Sequence, residues 1–398
     1  MDDNWSRIRS LITKFRELTF FSVSTIVANA IGGVFWLYMA SILGTEGYGE
    51  ISYLLSIGII SSTISLAGMS NVIIVYGAKN VKIQSTIFLI GLISSGITAS
   101  IVFFFVAKDI TISLYVIGFV IFTLITAELV GRKLFSRYSK IIIVQKIIMA
   151  IFSIILYYAI GLEGVLLGIA LSFLSFGFIL YKSFKEIKID FSVLQGRTNF
   201  LINSFLLDVS NAFKGSLDKI IVAPLLGFSL VGNYQLGVQF MGLVYLIPGI
   251  LFTYMLTHDA TGNSTKTIKK IIIVISVIFM ILSITLSPIF VPMIFPKFTE
   301  AIEVIQIMSF SIVPVGITST YVSKYLGLTK SKIVIIGSGI YLAIQITLII
   351  ILINIYGLNG VAIAGVISSI AHMIYFILAD KFQNQSESSI KIKNNNDS

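Results

Sequence analysis

The stretch NFLINSFLLDVSNAFKGSLDKIIVAPLLG, residues 199–227, sets Asp208, Lys214, Asp218 and Lys219 inside an otherwise apolar segment. A charge near the centre of a membrane helix costs roughly 2.5–3.5 kcal/mol on insertion scales, so such residues sit where water, a ligand or a counter-charge meets them. At about 100° per residue, Asn203, Asp208, Asn211, Lys214, Asp218 and Lys219 fall within an arc of roughly 160°. Ser204 joins them, and the opposite face is Leu and Phe. That pattern predicts a helix lining a wet cavity, where lysines attract an anionic group and aspartates tune the lysines or exchange protons or sodium. The alternative is structural: Lys214 and Asp218, at i and i+4, form a buried pair that only holds the fold together. Asn29, Asn71, Gln235 and Gln239 in other apolar segments are either cavity hydrogen-bonders or interhelical glue. Lys146 is expected to snorkel to the cytoplasmic surface, and Glu128 to pair with Arg132 four residues on.

The elements that must carry these residues are membrane helices. Of 398 residues, 56% are hydrophobic and 12% charged, and no cysteine is present; mean hydropathy is +0.98. Apolar runs long enough to span a bilayer recur from Phe20 onward. Twelve spans are predicted, at 20–42, 50–76, 84–106, 111–131, 141–160, 164–181, 200–226, 233–256, 268–294, 302–322, 333–355 and 360–380. The first run leads straight into a second, so no cleavable signal is expected. Among the six prolines, 288, 292 and 296 read as loop punctuation.

A net charge of +10 would suit nucleic acid, but its distribution argues for topology. With the N-terminus in the cytoplasm, 23 of the 28 Lys and Arg fall in cytoplasmic segments, and only Lys108 and Lys297 fall in outer loops. This bias predicts a multi-pass protein of the cytoplasmic membrane with both termini inside, and no nucleic-acid partner. No GxxxxGK[ST], HExxH or GxSxG occurs, so neither a nucleotide nor an enzyme centre is expected. Without cysteine there is no thiolate metal site, and His258 and His372 lie far apart, so no metal or other cofactor is expected. Residues 4–18 have a basic and an apolar face, as an interfacial helix on membrane lipids does. The polar tail suits disorder.

The chain also repeats itself. GLEGV at 161–165 returns as GLNGV at 357–361; LGTEGYG at 43–49 is matched by LGFSLVG at 226–232; SKI occurs at 139–141 and 331–333. The offsets are 196, 183 and 192 residues, as two diverged copies in one orientation would show. The expected organisation is a cytoplasmic amphipathic N-terminus (1–19), a six-helix lobe (20–181), a cytoplasmic linker (182–199), a second six-helix lobe (200–380) and a tail (381–398). Parallel repeats of this kind place a substrate path at the interface between halves. At the 183-residue offset, Lys214, Asp218 and Lys219 correspond to Ile31, Phe35 and Trp36, so the polar chemistry is concentrated in one copy.

Three further segments carry a resemblance: ASILGTEGYGEISYLLSIG (40–58), LDKIIVAPLLGFSLVGNYQLGVQF (217–240) and PIFVPMIFPKFTEAIEVIQIMSF (288–310). With the GLxGV turns, they resemble the polysaccharide (Wzx-type) flippases of the multidrug/oligosaccharidyl-lipid/polysaccharide transporter superfamily. Pro296 departs from that pattern, where glycine is usual. The resemblance implies an all-α membrane protein with two parallel six-helix lobes around a central cavity. It further implies a carrier, not an enzyme, that moves a polyprenyl-phosphate-linked oligosaccharide across the membrane by alternating access. Lys214 and Lys219 would then attract the pyrophosphate, and Asn and Gln side chains would meet sugar hydroxyls. Asp208 and Asp218 would tune the lysines or couple to protons or sodium. A cation-coupled multidrug exporter of the same superfamily is the main rival. A membrane sugar polymerase or glycosyltransferase fits less well, because every outer loop is short.

Overall fold

A computed structural model describes residues 2–186, 189–246, 249, 255, 266–328 and 330–396. The side chains of 4–18, His258, Pro248 and the end of the expected eighth span lie outside the described residues. All regular structure among the described residues is helical: α1 (Asp2–Leu66), α2 (Met69–Ala78), α3 (Gln84–Ile101), α4 (Ile110–Gly131), α5 (Phe135–Ile160), α6 (Leu162–Leu174), α7 (Gly177–Glu186), α8 (Thr198–Leu226), α9 (Phe228–Val244), α10 (Lys266–Ile294), α11 (Ala301–Ser309), α12 (Ile312–Gly327) and α13 (Ser331–Asn396). A π turn, Val102–Val106, extends α3, and a 3-10 turn, Phe191–Leu194, precedes α8.

Seven described stretches are long and apolar enough to cross a membrane, or eight with the bent pair α11 and α12 counted as one. Two of the seven, Val23–Leu66 and Ser331–Gln383, have 44 and 53 residues. At about 1.5 Å per residue each is long enough for two crossings. Both are broken by a glycine: Gly44 lies at φ 69 in α1 and Gly357 at φ 55 in α13. The chain is therefore a multi-pass membrane protein.

Several expected spans are interrupted. Span two breaks at Ala67 (φ 45) and Gly68 (φ 76), so α2 starts as a separate helix. Span ten bends by 46° between α11 and α12. Pro314 explains this bend, since it has no N–H to give the carbonyl of Phe310. Pro288 and Pro292, expected to punctuate a loop, lie inside α10 instead. Membrane helices tolerate proline where neighbouring groups re-satisfy the freed carbonyls.

The contacts divide the chain into two compact units, one of residues 1–39 and 51–216, the other of 40–50 and 217–398. In the first unit α4 is the central helix. Val116, Val120, Leu124 and Ile125 are fully buried on it, which is why its sequence is apolar all round. In the second unit the fully buried Tyr48 meets Phe298 edge-to-face at 6.0 Å, and Tyr325 stacks on Phe376 at 5.9 Å.

The repeated motifs have matching local structures. Gly44, Gly161, Gly227 and Gly357, which open the four turns, all have positive φ, a region that glycine enters without steric cost. Within the second unit, a side chain on Gly49 would overlap the Phe228 carbonyl, and one on Gly232 would overlap the Thr45 carbonyl. These contacts are reciprocal at the 183-residue offset, and the Ser229 hydroxyl donates to Thr45 Oγ1 (2.9 Å) beside them. Only glycine allows two backbones so close.

Candidate functional site

α8 carries the polar arc, and its two ends belong to different units, the boundary falling between Ser216 and Leu217. Its N-terminal half packs against the break in span two. A Cβ on Gly68 would lie 2.6 Å from the Leu201 carbonyl and 2.7 Å from the Phe205 nitrogen. That approach sets the first turn of α2 beside α8, where Asn71 Nδ2 donates to both carboxylate oxygens of Asp208 (3.3 and 3.2 Å). The partial positive charge of a helix N-terminus favours a carboxylate there. Asn203 and Asn211 are exposed, Lys214 is half-buried, and Ser204 is buried.

The C-terminal half holds a different arrangement. Asp218 and Lys219 are each 5% exposed. Asp218 Oδ1 accepts from the Lys219 backbone N–H (2.8 Å) and from its ammonium (3.1 Å). The other oxygen accepts from the Tyr234 hydroxyl of α9 (2.7 Å). Asp218 forms an ion pair with its chain neighbour Lys219. Tyr234 takes one oxygen, and the Lys219 chain folds back over the other.

The remaining polar residues are dispersed. Asn29 is exposed on α1. Gln235 and Gln239 are both half-buried on α9. Glu128 and Arg132 pair at 2.8 Å, as their spacing implied. Among the described residues, no three of His, Cys, Asp and Glu come together as a metal site would need.

Lys146, on α5, lies against α1. Its Nζ lies 3.9 Å from where a Gly32 side chain would begin, an ordinary van der Waals distance, and it is half-buried. No acidic or hydrogen-bonding partner meets it among the described residues. Gly32 is 114 positions away, and no local pattern reports that approach.

No protein-family profile matches the sequence, and no curated protein is similar to it in sequence. Solved structures do match. Lipid II flippase MurJ in an inward closed conformation has a TM-score of 0.71 and 16% identity, covering 91% of this chain and 87% of that one. An inward-facing multidrug resistance MATE family transporter of the MOP superfamily has a TM-score of 0.67 and 15% identity, with 91% and 95% covered. A MOP superfamily transporter from Pyrococcus furiosus has a TM-score of 0.60 and 14% identity, with 92% and 95% covered. The chain has the fold that these transporters share.

Proposed function

We propose that this protein is a flippase that carries a polyprenyl-phosphate-linked oligosaccharide across the cytoplasmic membrane by alternating access. The observation that carries the reading is Lys146. An ammonium among apolar spans, with no counter-charge among the described residues, needs an anion from outside the chain, and a lipid-linked pyrophosphate supplies one. The charges of the neighbouring spans point the same way. Lysines 146, 214 and 219 outnumber Asp208 and Asp218 in these spans, and Asp218 is already neutralised by Lys219. A carrier of cationic drugs would be expected to hold the opposite excess. The fold match to a lipid II flippase supports the class of cargo, and the Wzx-type resemblance supports the oligosaccharide. If protons or sodium drive the cycle, Asp208 is the carboxylate to carry them, because Asp218 is paired with an ammonium whereas Asp208 meets the neutral amide of Asn71.

The test is transport of a fluorescent polyprenyl-pyrophosphate-linked oligosaccharide in reconstituted vesicles. Lys146→Gln should lower the rate at least about tenfold, the scale of one charge-assisted contact. Lys146→Arg should restore it, with thermal stability unchanged in both. Full activity in Lys146→Gln, or wild-type vesicles that move a cationic dye and no glycan, would refute the reading.

A further inference from the structure

The first unit contains an apolar pocket of about 320 Å³ that no part of the transport reading uses. Ile64 and Met69 line it from either side of the span-two break, Ile90 and Ile97 from α3, and Leu194 and Leu201 from the chain entering α8. The break makes the space: where span two turns aside at Ala67 and Gly68, the groove beside α3 is left open. One end is shut. The Asp190 backbone N–H donates to Thr86 Oγ1 (2.9 Å), and that hydroxyl donates to the Asp190 carbonyl (3.0 Å). This clip holds the 3-10 turn, and with it Leu194, against the start of α3.

The side of the pocket faces hydrocarbon. Ile97 is 58% exposed and stands in a row on α3 with Ile93, Ile101 and Phe104, all exposed. In a multi-pass protein such a row is lipid-facing. Next to Leu194 and Leu201 the surface turns basic. Arg197 lies between the lining residues Leu194 and Leu201 in sequence, with its guanidinium 4.7 Å from the Tyr76 ring, and the Lys79 ammonium lies 5.5 Å from the same ring. Lys79 and Lys82 are exposed. The Nε–H of Arg197 is buried without an acceptor.

From this pairing of an apolar slot with a cationic rim, we propose that the pocket holds one acyl chain of an anionic phospholipid. The lipid comes from the leaflet on the side of the 189–197 segment, and its phosphate lies at Arg197 and Lys79. The volume is about ten times a water's share of about 30 Å³, yet the lining is too apolar to hold water, so a hydrocarbon chain is the filling that recovers the lost contacts. Basic residues at the ends of membrane helices select anionic head groups, and the half-buried Arg197, anchored by one N–H to the Val193 carbonyl, has further guanidinium N–H groups to give a phosphate oxygen.

Native mass spectrometry of the full chain, delipidated in mild detergent and titrated with phosphatidylglycerol or phosphatidylcholine, tests this. One phosphatidylglycerol should be retained per chain in preference to phosphatidylcholine. Arg197→Ala should weaken phosphatidylglycerol by about tenfold and phosphatidylcholine little, the scale of one charged hydrogen bond. Ile90→Trp, which fills the slot, should remove both. If that variant does not fold, Ile97→Trp at the mouth should do the same. Retention unaffected by both kinds of substitution, or no retained lipid in the wild type, would overturn the site. Displacement of phosphatidylglycerol by an equal concentration of undecaprenyl phosphate would overturn the assigned occupant. None of these readouts involves transport, so they stand apart from the fate of the flippase reading.

Discussion

Replacing Lys219 by Met should destabilise the protein far more than a surface substitution would. The ammonium and carboxylate lie 3.1 Å apart, with side chains 6% and 5% exposed. At an effective dielectric of about 20 their attraction is about 5 kcal/mol. Desolvation of both groups offsets much of that, so the intact pair adds little net stability. Breaking it is another matter, because Asp218 is then buried with its charge uncompensated, at a cost of about 3–5 kcal/mol. Tyr234→Phe removes one hydrogen bond to that carboxylate and should cost about 1.5–3 kcal/mol. The double variant Asp218→Leu with Lys219→Met removes both charges and should return to within about 1 kcal/mol of the wild type. The assay is the fraction of each variant that stays monodisperse in detergent after heating, ranked across a temperature series. The expected order places Lys219→Met below Tyr234→Phe, with the double variant near wild type. If Lys219→Met alone kept full heat resistance and lost transport, the pair would belong to the transport path and the structural assignment would fall.

The reciprocal glycines should be equally sensitive. Gly49→Ala and Gly232→Ala should each cost at least about 1–3 kcal/mol by overpacking against a carbonyl. Gly96→Ala, with open space at its Cβ, should be neutral or stabilising by up to about 1 kcal/mol, as the same heat-resistance series will report. For topology, single cysteines at the exposed Glu163 and Lys133 are the only thiols in an otherwise cysteine-free chain. A membrane-impermeant reagent on intact cells should label the first and spare the second, and the reverse pattern would invert the orientation drawn from the charge bias.

The sequence alone determined what depends on local or one-dimensional free energies. Transfer of long apolar runs out of water identifies membrane helices whatever they pack against, and the insertion cost of four charges singles out α8 without any partner. The glycines that open the repeated turns were legible for the same reason, since a left-handed backbone is a property of the residue itself. Tertiary structure decided everything that depends on who meets whom. Tyr234, brought in from α9, takes one oxygen of Asp218 while the Lys219 chain reaches the other. Span two contains no proline, and its break at Gly68 matters because α8 comes so close there that a Cβ would clash. Lys146 lies against Gly32 of α1, 114 positions away, an approach that nothing along the chain reports. Desolvation, packing and charge pairing are sums over neighbours distant in sequence, and no window of residues along the chain contains those neighbours.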